Sequence, residues 1–597
     1  MSSVLIGSRT QGSMGMEHCT NRLVNSQASS PLQTAVSMQG VVTEVGLAGL
    51  WNFGLALALV TLNPGTAFAL SQTAPISGQV LQTPLKDLKD FDYWRGLCDM
   101  QIEAGHYSEA RSACEAAIAL RPQDAELWTV HSSLLLNLAQ YAEVLISAQQ
   151  ALALKPENSL ALLNQCRAYL ELNQPGKAIT TCQQAVEVNQ NWGDQSAATA
   201  WLYQGRALQP EDYGAALVAY ERALLINREN SQVLTYRCEA YFALGQYDNA
   251  LASCQSAIRG NGDWGTVSPA LAWYYQGLAY QEQKQYAAAV DAFDTSLRLN
   301  DGDVHTWFAQ GKVLELWGRD EAALLSYKRA VALQPNWSIA LVGLCTVLNK
   351  TVQYEAALEA CEQALAGDGD WEEVGPAQAW SQQAQALTGL GQYQEALAAL
   401  DRAVGLAPDY ADAWNNRGAV LAYLNQWQLA IASLQRAAEL DPISASPWVN
   451  LGRIQRMLGQ YSNAIAAYDH ALELNPSDAE AWANRSVVQW YLQQYDAALA
   501  SADRAIALND KSYLGWYNRA TTLVSLERYP DAGRAYQQAI RLEPESADAW
   551  TGLGLVLTRL NRYDEARRVL AKALELNPQH EVALSTWQSL PPFRPSR

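Results

Sequence analysis

The sequence predicts an all-α fold of about fourteen helical hairpins closed by one further helix. Three observations predict it. Prolines recur 34 residues apart, at Pro122 and Pro156, at Pro408, Pro442 and Pro476, and at Pro544 and Pro578, with Asp510 midway between Pro476 and Pro544. A large apolar residue, usually Trp, opens each unit: Trp94, Trp128, Trp201, Trp273, Trp307, Trp380, Trp414, Trp448, Trp482, Trp516 and Trp550. Apolar residues return at intervals of three and four in both halves of the unit, which is the helical period.

The units run from about Phe91 to Glu581, with weaker anchors at Gln190, Arg228, Gly262, Asp301, Pro335 and Gly369. In each, the opening Trp is followed four residues later by a small residue such as Gly418 or Gly452. A short turn with an aromatic comes next, LGQY at 244–247, 390–393 and 458–461, and then an Ala-rich stretch such as NAIAAYDHALELNP at 463–476. Gly before the turn ends the first helix, and Pro after the second stops it. Residues 579–590 read as a closing helix over the last apolar face, and PPFRPSR as a tail.

This grammar, W-x2-L-G…Y…A…A…P, resembles the tetratricopeptide repeat (TPR) family over about 490 residues. The resemblance implies a right-handed α-solenoid whose first helices line a concave groove, and a protein that binds other proteins or extended peptides. Domain limits follow: an unstructured leader at 1–44, a signal peptide or membrane anchor at 45–70, a linker at 71–90, the solenoid at 91–581, and the end of the closing helix and tail at 582–597.

Eight of the nine cysteines form four pairs with one spacing: Cys98 and Cys114, Cys166 and Cys182, Cys238 and Cys254, Cys345 and Cys361 are each sixteen residues apart, and only Cys19 is left over. The first of each pair takes the slot of Gly418 and Gly452. The second takes the slot of Tyr220, Phe293, Tyr327, Tyr468 or Tyr536 in the second helix. The turn lies midway, so both stand at the same height of an antiparallel hairpin. Helix axes about 8–10 Å apart bring inward residues near the ~5.5–6 Å Cα spacing of a disulfide. Cysteine as a small buried apolar residue is the competing reading. Against it, the units holding the first cysteine are the same four that hold the second. A zinc site fits poorly, because there are six His and no CxxC. Disulfides call for an oxidising compartment, and residues 45–62, VGLAGLWNFGLALALVTL, followed by Asn63-Pro64-Gly65 and Ala67-Phe68-Ala69, have the order of an export signal. The same run is long enough to remain as an anchor. No basic residue lies between Arg22 and the run. An extracytoplasmic location, periplasmic or secreted, is the expectation.

Three units end differently, in NQNWGDQSAATAW (189–201), GNGDWGTVSPALAW (260–273) and GDGDWEEVGPAQAW (367–380), which makes irregular junctions near 190–200, 262–272 and 369–379. In these units Leu162, Leu234 or Leu341 replaces the opening Trp, and Trp192, Trp264 or Trp371 appears in the added loop. Either the loop Trp refills the vacated site, or the loops present a row of aromatics to sugar or peptide.

A net charge of −19 disfavours a nucleic-acid backbone or an anionic membrane surface as main partner. Membrane contact is expected only through the N-terminal segment if it is not cleaved. G-x-x-x-x-G-K-[ST], H-E-x-x-H and G-x-S-x-G are absent, and His106, His131, His305, His470 and His580 are scattered over separate units. No enzyme, cofactor or metal is expected. One constellation points to binding. Asn416, Asn450, Asn484 and Asn518 recur at 34, and Arg417, Arg485 and Arg519 follow three of them. The resemblance implies that this position turns toward the groove, where carboxamides would hold the backbone of an extended partner and the arginines its acidic side chains. That Asn is only a common choice at this slot is the other reading. The expected function is therefore a protein- or peptide-binding scaffold or assembly factor. A structural or carbohydrate-contacting envelope protein using the Trp-bearing loops is the alternative.

Overall fold

The structure, a computed structural model, describes residues 90–371 and 375–591. The leader, the 45–70 segment, the linker up to residue 89, Cys19 and the last six residues of the tail lie outside the described residues.

Among the described residues there are twenty-nine helices and no strand. They pair into fourteen antiparallel hairpins, from Phe91–Glu103 with Tyr107–Leu120 to Ala547–Arg559 with Tyr563–Leu576, and Glu581–Ser589 closes the array. Each helix packs on its hairpin partner and on the following hairpin. First helices also touch the first helices of neighbouring hairpins, while successive second helices do not approach comparably. The stack is thus a right-handed α-solenoid with the first helices on its inner, concave side.

The repeat grammar has a physical cause at each point. The opening Trp donates its indole N–H to the carbonyl of the Pro-slot residue six positions earlier: Trp414 to Pro408 (3.0 Å), Trp482 to Pro476 (3.0 Å), Trp516 to Asp510 (2.8 Å) and Trp550 to Pro544 (2.8 Å). This satisfies a carbonyl just past the end of the second helix and fixes the next hairpin against it. Asp510 serves as well as Pro because the acceptor is main chain. After the first helix, a residue with positive φ reverses the chain, as Gly459 does at 71°, and the Gln460 N–H returns to the Gln455 carbonyl (2.8 Å), closing the first helix in a Schellman turn. Alanines of the second helices, such as Ala464, Ala467 and Ala471, are buried and let the helices approach.

At the C-terminal end, His580 Nδ1 accepts from the Ala583 N–H (3.3 Å), so its Nε2–H donates to Asp548 (2.8 Å). That link docks the closing helix on the fourteenth hairpin. Ala583 and Leu590 are buried there.

Candidate binding surfaces

All four cysteine pairs are disulfides, with Cα separations of 5.0 Å for Cys98–Cys114, 5.3 Å for Cys166–Cys182 and Cys238–Cys254, and 5.5 Å for Cys345–Cys361. These lie inside the range an unstrained bridge needs. All eight sulfurs sit in fully buried residues. Each bridge locks a first helix to its own second helix.

The asparagines stand elsewhere than expected. Asn518 is buried and donates to the Ala483 carbonyl of the preceding first helix (2.9 Å). Asn450 donates to Asn415 Oδ1 (3.0 Å) and Asn416 to Ser381 Oγ (3.3 Å), again one hairpin back. Asn484 is buried at 5% exposure. Asn164, at the same slot, donates to Ser132 and Ser133 of the preceding hairpin (both 2.8 Å). The carboxamides of Asn164, Asn416, Asn450 and Asn518 are rungs between stacked first helices, those of Asn416 and Asn450 from half-buried positions. The reason is distance: first helices on the concave side are close enough that a short side chain at this slot meets the neighbouring helix before it meets solvent.

The arginines are likewise engaged. Arg485 donates from Nε to Asp469 (2.7 Å) of the preceding second helix and from Nη1 to Ser501 (2.8 Å) of its own. Arg417 repeats this with Asp401 and Ser433 (both 2.7 Å), and Arg519 pairs with Asp503 (2.6 Å). In each case the acid lies sixteen residues before the arginine. The same slot holds Gln310, between Asp294 and Ser326, and His131, on Ser147. This polar seam between hairpins corrects the expectation of groove contacts to acidic partners.

The loop tryptophans are partly buried against the cores of their own units. Trp192 packs on the cluster holding Leu162, Trp264 on that holding Leu234, and Trp371 on that holding Leu341. Each loop indole thus packs on the cluster that holds the Leu standing in for its helix Trp, and each remains partly exposed. A signal passed over in the sequence explains how the loops are held. Ser159, Ser231 and Ser338, all fully buried, open the first helices of these units. Their hydroxyls accept from the Gln190, Gly262 and Gly369 N–H groups at 3.0, 3.2 and 3.1 Å. The spacing is 31 residues in all three.

The concave face carries a groove of about 630 Å³ over the seventh to ninth hairpins. Phe308, Lys312 and Leu316 come from the first helix Val304–Leu316, Ile339 and Thr346 from Ser338–Lys350, and Gln378 from Pro376–Gly389. Gly343 makes room for the Tyr327 ring in that lining, since a Cβ built there would lie 2.6 Å from it. Leu316 is 56% exposed. Lys350 donates to Glu315 (2.8 Å), which pairs that acid at the groove edge.

The chain belongs to the tetratricopeptide repeat family. Family matches described as tetratricopeptide repeat or TPR repeat cover residues 163–232, 270–303, 304–336, 384–424, 411–443, 445–478 and 517–581. Among curated proteins it is similar to superkiller protein 3 of Saccharomyces cerevisiae, 21% identical over 160 residues, which are 26% of this chain and 11% of that protein. It is also similar to anaphase-promoting complex subunit 3 of Schizosaccharomyces pombe, 24% identical over 141 residues, 24% of this chain and 20% of that one. The chain thus spans only a fifth or less of these relatives' length. Solved structures it resembles include the APC/C hetero-tetramer Cut9-Hcn1, at 16% identity and a TM-score of 0.41, covering 86% of this chain and 98% of that one. Another is YrrB, a TPR protein with an unusual peptide-binding site, at 22% identity and a TM-score of 0.28, covering 32% and 99%. The family matches thus assign the repeat that builds the solenoid.

Proposed function

We propose that this chain works outside the cytoplasm as a non-catalytic assembly factor, and that it holds a segment of a partner protein in the groove over the seventh to ninth hairpins. The groove carries the reading. It combines exposed apolar surface at Leu316 with a basic residue, Lys312, beside the Tyr327 ring that Gly343 seats, which suits an apolar anchor flanked by acidic residues. The location rests on the four buried disulfides together with the apolar 45–62 run.

The test is site-directed photocrosslinking. A photoreactive residue at Thr346 captures a defined partner from the native compartment, and Leu316→Asp abolishes capture without changing the helical content. Equal capture by Leu316→Asp removes the groove from the function. Recovery of the chain with free thiols at the eight positions removes the oxidising compartment.

A further inference from the structure

We infer that the cleft between the first two inserted loops binds a neutral polyhydroxylated ligand, a saccharide. The cleft has a volume of about 450 Å³, within the ~300–1,000 Å³ of small-molecule sites. One wall is the loop after the third hairpin, through Asp194, Gln195 and Ser196; the other is the loop after the fifth, through Asp263, Gly265 and Thr266. The floor is the first helix of the fourth hairpin, Ala197–Leu208. Two of the three departures from the regular repeat thus meet around one cavity.

The walls are held in place before any ligand arrives. The Ser159 and Leu160 N–H groups bond the Gln190 and Asn191 carbonyls (2.9 and 3.2 Å), and the Gln232 N–H bonds the Asp263 carbonyl (3.0 Å). Asn230 Nδ2 donates to Asp263 (3.0 Å) and Gln232 Nε2 to Thr266 (3.0 Å). Gly265, at φ 52°, passes so close to Gln232 that a side chain there would lie 2.1 Å from its amide oxygen. Such preorganisation lowers the ordering cost of binding.

After this scaffolding, a different set of groups still faces the cleft. Among the described residues, Arg167, Asp194, Gln195, Thr199 and Asn227 line it with no side-chain hydrogen bond to the protein. Arg167 lies over the Tyr203 ring at 5.1 Å. An apolar ligand would strand these groups without water. An anion would meet Asp194 and Asp263 against Arg167 alone, and a cation would meet Arg167. A sugar's neighbouring hydroxyls each donate and accept, and so match a carboxylate, two carboxamides, a hydroxyl and a guanidinium together. The assignment does not rest on the groove of the proposed scaffold, which lies three hairpins further along.

The test is calorimetric titration of the full chain with chitotetraose, cellotetraose and maltotetraose in turn. At least one is expected to bind saturably, and Asp194→Ala and Asn227→Ala should each weaken it about tenfold with the thermal midpoint unchanged. Leu316→Asp, in the other groove, should leave sugar binding intact, so failure of either site shows separately. No saturable binding by any of the three sugars overturns the inference. So does binding that both cleft variants leave unchanged.

Discussion

A methyl carbon built on Gly452 would lie 2.9 Å from the ring of Tyr468, sixteen residues further along and fully buried. Gly277 stands in the same relation to Phe293 (2.5 Å), Gly311 to Tyr327 (2.9 Å) and Gly418 to Leu434 (2.6 Å). One position of the hairpin carries a large side chain and the other carries none. In four hairpins the same two positions carry Cys–Cys. In these hairpins the core is thus filled either by one large group or by two medium ones joined covalently, while the second and twelfth hairpins carry a buried Ser–Ala pair there, Ser132 with Ala148 and Ser486 with Ala502. The cysteine spacing and the glycine slot are a single packing rule.

Gly452→Ala is therefore expected to destabilise its hairpin by about 1–2 kcal/mol. Overpacking costs roughly 1–3 kcal/mol, and the better helix propensity of Ala returns up to about 1 kcal/mol. Gly405→Ala is the control: nothing lies within 4 Å of its added carbon, so propensity alone acts and the second helix gains a few tenths to ~1 kcal/mol. Hydrogen exchange resolved by hairpin checks both, since a repeat array opens locally. Equal effects at the two glycines would refute the packing argument.

Replacing Cys166 and Cys182 together by Ala is expected to cost about 2–3 kcal/mol, the loop-closure value for sixteen residues. Exchange should rise in the third hairpin and its neighbours and stay unchanged at the C-terminal end. Non-reducing peptide mapping should return the four pairs and no scrambled ones.

His131 gives the stability a pH dependence. It is 6% exposed, hydrogen-bonded through Nδ1 to Ser147 (3.0 Å), and burial holds its imidazole below the ordinary histidine range. Glu115 and Glu143 favour the charged form and Arg111 opposes it, but burial outweighs them. A base with a depressed folded pKa binds fewer protons folded than unfolded. Its contribution is complete above the unfolded value of about 6.5 and is lost as pH falls below it. Urea midpoints followed by exchange at the second hairpin should drop between pH 7.5 and 5, and His131→Gln should flatten that part of the slope.

The fold was legible because each of its causes repeats. Pro408, Trp414, Gly418 and Tyr461-type residues recur at fixed offsets, and every copy testifies to the same contact. Trp192 was legible as packing on its own unit because Leu162 stands there in place of the helix Trp. The sites were less legible. Asn518 and Arg485 were placed in the groove from slot alone, and a slot does not say whether the neighbouring helix is 3 Å from the side chain or absent. The acids sixteen residues before Arg417, Arg485 and Arg519 were a readable sign of the seam. The serine staples, 31 residues from their loop partners, were hidden because serine is common at helix starts for its own reasons. The saccharide cleft brings together residues from 167 to 266, and no local pattern announces it.

The last prediction separates stacking from binding at the asparagine rungs. Asn518→Ala removes a buried donor from the Ala483 carbonyl, which should cost about 1–2 kcal/mol in the twelfth and thirteenth hairpins. Arg485→Ala should act one junction earlier, between the eleventh and twelfth hairpins, and more weakly, near 1 kcal/mol, because the guanidinium is partly exposed and its ion pair with Asp469 is screened by water. The two changes meet through adjacent hairpins, so their effects should fall short of additive. Faster exchange confined to these hairpins, with undiminished photocrosslinking from Thr346, is the expected result. Loss of partner capture with unchanged exchange would return Asn518 to the ligand surface.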